Sequence, residues 1–322
     1  MCRLPSTLAI PCASRLTDWL SEQLPAALAA ALPVRRVTPV GGGCIHAAWR
    51  LDLQSGERLF AKSNSCSVLG ILQAEADGLR ALAQVADAAG PEEMPALPEP
   101  LALGEVDDQA LLVLSWLDLT ERSDPAAWSG FGAALARLHQ RSRLLNRERG
   151  FGAEAANFIG STPQPNGWKA DWSRFFCDQR LRPQLALLQS RGLAPEGSEA
   201  LLSRVADRLA DHHPEPVLVH GDLWRGNAGL IEQGRGALFD PACYWGDREV
   251  DLAMARLFGG FPEAFFKGYS RTWPLPEDSA SRQDLYNLYH LWNHVNLFEG
   301  GSGGAYHRQA CAGVERLLGG GP

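Results

Sequence analysis

The stretch 219-VHGDLWRGNAGL-230, followed after a short Gly-rich gap by 237-ALFDPACYWGDRE-249, sets Asp222, Asn227 and Asp240 close together along the chain. A carboxylate can accept the proton of an attacking hydroxyl. Carboxylate and amide oxygens are also the ligands that a hard cation such as Mg²⁺ prefers. The chemistry that uses both is phosphoryl transfer from a nucleotide. It requires a proton acceptor, oxygen ligands for the metal, a cation on the phosphates and backbone N–H groups over them.

Each part has a candidate. The spacing from Asp222 to Asn227 in 220-HGDLWRGN-227 is that of the kinase catalytic loop H-R-D-L-x-x-x-N. Asp222 is then the proton acceptor and Asn227 a Mg²⁺ ligand. Asp240, at the end of a short strand, is the main metal ligand. Neither carboxylate needs an unusual acidity for this. Lys62 ends the apolar strand 59-LFAK-62 and Glu75 lies on the next helix, the arrangement that holds a cation against the α and β phosphates. Gly41, Gly42 and Gly43 offer backbone N–H groups that can approach phosphate with no Cβ in the way. Singly, each residue has a plain structural use as a turn cap, a solvated strand end or a hairpin. Their joint order carries the weight.

Other chemistries are poorly supplied. His290 and His294 share a helix face, but the intervening Leu-Trp-Asn holds no general base, so they read as core or interface. His220 and Asp222 lack the further cluster of a dinuclear hydrolase. No G-x-S-x-G is present for a serine hydrolase.

Periodicity supplies the elements that must position these groups. Leu16, Leu20, Leu24, Leu28 and Leu32 predict one amphipathic helix stopped by Pro33. Strands follow over 34–40, 47–53 and 57–63, the last two joined by a hairpin at 54–56. A helix is expected over 68–89, a Pro-rich loop over 91–100 and two strands within 101–117. Beyond these come helices near 125–141, 168–190, 198–211, 249–258, 261–270 and 282–298, with short strands at 216–220 and 236–240. The expected fold is α+β and bilobal. A small β-rich lobe (1–117) with one inserted helix joins a larger helical lobe (118–322), and the cleft between them is where a small ligand binds.

Bulk properties agree with a globular enzyme. The 322 residues are 45% hydrophobic and 21% charged with a net charge of -7, which speaks against a nucleic-acid or anionic membrane surface as partner. Seven scattered cysteines with no C-x-x-C pair form neither a disulfide framework nor a zinc ribbon, and a reducing cytoplasm fits them best. The opening MCRLPSTLAIPCASR has an apolar run bracketed by Pro5 and Pro11, too short for a secretory leader. No apolar run reaches the ~18 residues of a membrane span.

The segments 220-HGDLWRGN-227 and 240-DPACYWGDREVDLAMARLFGGFPEAFFKGY-269 closely resemble the fructosamine-3-kinase or ketosamine kinase family. Its relatives are the aminoglycoside and choline kinases of the protein-kinase-like fold. The likeness also covers 41-GGGCI-45, 60-FAKSN-64, 75-EADGLRAL-82, 157-NFIGSTPQPNGW-168, 180-RLRPQL-185 and 286-YNLYHLWNHVNLF-298, and so nearly the whole chain. It implies ATP- and Mg²⁺-dependent phosphorylation of the 3-hydroxyl of a ketosamine, free or protein-bound, and deglycation when the unstable phosphate sheds its sugar. Asp222 is then the catalytic base, Asn227 and Asp240 the metal ligands, and Lys62 with Glu75 the phosphate clamp. Ser115, Trp116 and Leu117 match the hinge whose backbone meets adenine. Trp224 is the candidate wall against the sugar, with Asn166 and Trp168 further candidates facing the substrate. Asp251 is expected to cap its helix and brace the catalytic loop. Cys44 stands where some members carry a redox-sensitive cysteine. The alternatives are a kinase of another small hydroxylated compound, of aminoglycoside, choline or methylthioribose type, or a silent nucleotide-binding module. A monomer or weak dimer is expected.

Overall fold

The computed structural model describes residues 10–41, 45–87, 93–121, 124–146 and 148–319. Gly42, Gly43, Cys44 and the first nine residues lie outside them, and with them the expectations for the Gly turn, the redox cysteine and the leader.

The leucine repeat near the start folds as two helices, α1 (Ala13–Gln23) and α2 (Ala26–Ala29), rather than one. Pro25 is the reason: it disfavours helical backbone at Leu24, which is extended with ψ 148. Strands β1 (Val34–Val40), β2 (Ala47–Leu53), β3 (Arg58–Ser65), β4 (Pro100–Val106) and β5 (Gln109–Ser115) form an antiparallel sheet in the order β1-β2-β3-β5-β4. Helix α3 (Leu69–Asp87) crosses between β3 and β4. Strand β5 shows why this sheet is apolar on both sides. Leu111 and Val113 pack toward α1, whereas Ala110, Leu112 and Leu114 pack against Leu72, Ala76 and Leu79 of α3. Alternate residues of a strand face opposite ways, so each half of β5 meets a helix.

After β6 (Leu119–Thr120) the chain is mainly helical. Asp124 caps α4 (Pro125–Ser142) by accepting from Ala126 N. A hairpin of β7 (Asn157–Ile159) and β8 (Thr162–Gln164) follows. The helix expected over 168–190 begins only at Trp172, because Asp171 caps it through Arg174 N at 2.8 Å. It runs as α5 (Trp172–Phe175), a π-helical turn (Phe176–Leu181) and α6 (Arg182–Ser190). Next come α7 (Ser198–Leu209), β9 (Val217–Val219), the hairpin β10 (Ala228–Ile231) with β11 (Gly236–Leu238), and β12 (Tyr244–Gly246) paired with β9. Helices α8 (Glu249–Leu257), α9 (Glu263–Thr272), α10 (Ser279–Phe298) and α11 (Ala305–Gly319) complete the fold. The largest core packs Trp172, Phe175, Phe176, Tyr286 and Trp292 from α5, the π turn and α10. No described helix is long and apolar enough to cross a membrane.

Candidate active site

Lys62 sits on β3 beside Leu112 of β5 and Ala48 of β2. Glu75 occupies the buried face of α3 among Leu72, Leu79 and Leu82, an odd place for a carboxylate unless it has a partner. Lys62 Nζ donates to both Glu75 oxygens at 2.8 Å, with the side chains 9% and 8% exposed. A buried ion pair adds little net stability, since desolvation offsets attraction. What it does here is hold a cation on the central strand of the sheet. Lys62 Nζ also contacts Asp240 Oδ1, so sheet and helical lobe meet at this charge.

The catalytic loop leaves β9 at Val219 and is held almost entirely by side chains. Asp251, in the first turn of α8, accepts from His220 N at 2.7 Å and Gly221 N at 2.9 Å. Arg248, not Asp251, stands at the N-cap of α8, so Asp251 braces the loop and does not cap the helix. His139 Nε2 lies 3.2 Å from the same carboxylate, and Tyr269 OH lies 2.9 Å from His139 Nδ1. Burial works to raise the Asp251 pKa, but the hydrogen bonds from His139 and the Gly221 N–H outweigh it and hold the group below its ordinary value. Gly221 has φ +80, and a Cβ there would fall 2.2 Å from the Ala242 carbonyl oxygen. Only glycine fits both conditions. His220 donates from Nε2 to Phe239 O at 3.0 Å and accepts Asp222 N on Nδ1 at 3.3 Å, which defines a neutral ring. Burial also pushes its pKa down.

Asp222, Asn227 and Asp240 come together around one amide. Asn227 Nδ2 donates to Asp222 Oδ2 at 2.9 Å, Asp222 O at 3.0 Å and Asp240 O at 3.4 Å. Contacts therefore run without a break from Glu75 through Lys62, Asp240 and Asn227 to Asp222. The proton acceptor's role needs no unusual acidity, but burial shifts Asp222. Its half-buried carboxyl is raised to about 7 by burial, with the Asp251 charge adding and the Asn227 bond opposing.

Two oxygen donors fit a hard divalent cation. The Asp240 side chain is 42% exposed. Asn227 has its nitrogen committed to protein acceptors, which leaves Oδ1 as its remaining polar atom. Among the described residues His212, Asp247 and Glu249 also cluster, but that group is already saturated. His212 and Tyr286 share Asp247 Oδ2 at 2.7 Å, and Arg282 takes both Glu249 oxygens at 2.8 Å.

The remaining candidates divide. Gly41 follows β1, and Asn64 on β3 donates to Ile45 O and faces His46 Nδ1, both at 3.0 Å. Nothing in its local sequence marks Asn64 for this. Ser115 is tied to Glu99 through its backbone N at 2.9 Å and its hydroxyl at 2.8 Å. Trp116 bonds Asp118 at 2.8 Å under the Arg58 guanidinium, and Leu117 O accepts Leu119 N. The Trp224 ring lies over Gly226, where a Cβ would fall 2.2 Å from it. Trp168 is half-buried beneath Arg149. Asn166 does not face an open cleft: it is 3% exposed and bonded to Ala155 O, Asn157 Oδ1 and Arg180.

A five-stranded sheet with a lysine–glutamate pair, set over a helical lobe bearing an Asp–Asn–Asp loop, defines a kinase-type phosphotransferase of protein-kinase-like fold. The sequence profile described as Fructosamine kinase matches residues 17–319. A curated protein of Vibrio vulnificus (strain CMCP6), named "Probable ketoamine kinase", is 37% identical over 93% of this chain and 98% of its own. The "Probable ketoamine kinase YniA" of Escherichia coli (strain K12) is 39% identical over 86% of this chain and 91% of its own. The crystal structure of "Putative fructosamine-3-kinase" from Haemophilus somnus 129PT superposes with a TM-score of 0.81 at 27% identity, over 94% of this chain and 96% of that one. The aminoglycoside phosphotransferase APH(4)-Ia, in a ternary complex with ADP and hygromycin B, shares the fold at a TM-score of 0.58 and 17% identity, over 94% and 97% of the two chains. The chain belongs to the fructosamine kinase family and is an ATP-dependent phosphotransferase.

Proposed function

We propose that the protein phosphorylates the 3-hydroxyl of ketosamines, the sugar adducts left on amines by glycation, and so starts their removal. The observation that carries this is the unbroken line of contacts from Glu75 to Asp222 in a chain of this family. Asn227 holds Asp222 Oδ2, so Oδ1 receives the proton of the attacking hydroxyl. The substrate's hydroxyl oxygen bonds to the γ-phosphorus as the bond to the β-phosphate oxygen breaks, and ADP leaves. Lys62, fixed by Glu75, meets the α and β phosphates. Gly41 to Gly43 cover the phosphates, and the backbone of Ser115 to Leu117 receives adenine, with the lobe boundary after Leu117. Asn227 Oδ1 and the Asp240 carboxylate would hold Mg²⁺, which neutralises phosphate charge when bound. Trp224 walls the sugar, and Trp168 is a further substrate candidate.

The product, a 3-phosphate beside a carbonyl, expels inorganic phosphate by elimination, and hydrolysis of the adduct that remains frees the amine from its sugar, which gives the activity its repair character. The free thiols of Cys12, Cys66, Cys177, Cys243 and Cys311 support a cytoplasmic setting. The test is ADP release with Mg²⁺ and ATP on ribulosamine, fructosamine, choline and an aminoglycoside. Turnover restricted to the ketosamines is expected. Turnover restricted to choline or the aminoglycoside would overturn the substrate assignment, and an inert chain would make it a nucleotide-binding module.

A further inference from the structure

The hairpin β7–β8 and the segment 164-QPNG-167 have no part in the reaction as described, yet their side-chain amides form a chain with a fixed direction. It begins at Arg180 in the π-helical turn, fully buried between the rings of Tyr244 at 3.7 Å and Phe175 at 4.7 Å. A guanidinium offers donors only. Arg180 donates to Asn166 Oδ1 at 2.7 Å, which turns Asn166 Nδ2 toward Asn157 Oδ1 at 2.8 Å. Gln164 Nε2 gives that same oxygen a second bond at 2.7 Å. Asn157 is left to donate, and its Nδ2 reaches Cys243 O at 2.8 Å. From the other end, Tyr289 OH donates to Gln164 Oε1 at 2.6 Å, so Gln164 Nε2 also reaches Ala242 O at 3.1 Å. Side-chain amides have no inherent orientation in a site of this shape. Here the network sets every one of them.

Its two endpoints are consecutive carbonyls directly after Asp240-Pro241. Asp240 has φ 57, a left-handed conformation uncommon for a residue with a Cβ and kept only where the surroundings enforce it. Upstream, Phe239 N is bonded to Asn227 O at 3.1 Å; downstream, Ala242 N is bonded to His220 O at 2.8 Å. The hairpin amides fix the rest of the downstream side. At its tip the hairpin meets Ile45, just ahead of β2: a Cβ at Gly160 would fall 3.0 Å from Ile45 Cδ1.

We infer that Asn157, Gln164 and Asn166, oriented by Arg180, are positioning residues that hold Asp240 in its metal-binding conformation. The hairpin thereby belongs to the nucleotide–metal site. This rests on the assignment of Asp240 as a metal ligand. Partners of this kind around a ligand change metal affinity by about 10- to 100-fold.

The test substitution is Asn166→Asp. It keeps the shape and gives Arg180 a carboxylate, but it replaces the donor toward Asn157 with an acceptor. Binding of ADP to the full chain is measured by titration calorimetry with and without Mg²⁺, alongside thermal melting. With Mg²⁺, affinity is expected to fall about 10-fold; without it, affinity stays at the parent value. Asn157→Asp, which removes the donor to Cys243 O, repeats the test should the first variant not fold. Equal Mg²⁺-dependent affinity in a folded variant overturns the inference, as does a loss that is the same with and without Mg²⁺. A parent chain whose ADP affinity ignores Mg²⁺ overturns instead the assignment of Asn227 and Asp240.

Discussion

The two halves of the site are built by different means. On the sheet side, Lys62 and Glu75 ride on a regular strand and helix, and backbone ladders and apolar packing put them in place. On the helical side, Asp222, Asn227 and Asp240 stand on irregular backbone, where side chains supply the bonds that a ladder would otherwise make. Asp251, His220, Asn157 and Gln164 all bond main-chain groups there. A group on a regular element tolerates loss of a neighbour better than a group on a loop whose shape depends on single buried side chains.

Substitutions can break or sharpen this contrast. Asp222→Asn removes the proton acceptor but keeps the loop, so turnover should drop by at least about 10²-fold with ADP affinity retained. Steady-state kinetics beside calorimetric titration separates the two, and equal turnover would sink the role given to Asp222. Asp251→Asn places a donor against backbone N–H groups and should cost about 1–3 kcal/mol of stability, read by urea unfolding, with turnover reduced as well. Glu75→Gln leaves Lys62 on its strand. Weakening the charge-assisted bonds there should lower nucleotide affinity about 10-fold, with unfolding changed less than in Asp251→Asn because Lys62 keeps Asp240 as a partner. If Glu75→Gln destabilised the chain more than Asp251→Asn, the contrast would be wrong.

The smallest effect is in pH. Each half holds a buried neutral histidine: burial lowers His46 to about 4, helped by the Lys62 charge, and lowers His290 to about 3, helped by His294. Below the ordinary imidazole value of 6.5, the unfolded chain binds protons that the folded one does not. Stability is therefore present above that pH and is lost as pH falls toward these depressed values. His46→Gln and His290→Gln should each flatten the acid limb of a plot of unfolding midpoint against pH.

The contrast also explains what the sequence discloses. Lys62 at the end of an apolar strand and Glu75 on an amphipathic helix obey periodicities that one chain displays. The H-G-D-x-x-x-x-N spacing is a local signature as well, so its members can be named before the fold is known. The hairpin β7–β8 and strand β12 have three residues each, too few for alternation to register. Helix α11 follows the glycine-rich run at 300–304, which reads as a loop. From the sequence Asn166 reads as a residue facing the substrate. Its partners Asn157 and Arg180 are distant in sequence and become visible only in the fold. The shifted acidity of Asp222 has the same origin, since burial is a property of what surrounds a side chain.

The absence of a Cβ at Gly221 has a mechanical consequence. With the Ala242 carbonyl seated against that α-carbon, the loop bearing the proton acceptor and the strand end bearing the second aspartate cannot slide past one another. Flexing of the sheet relative to the helices would alter how far Lys62 stands from both, while the spacing between Asp222 and Asp240 travels unchanged as one rigid unit.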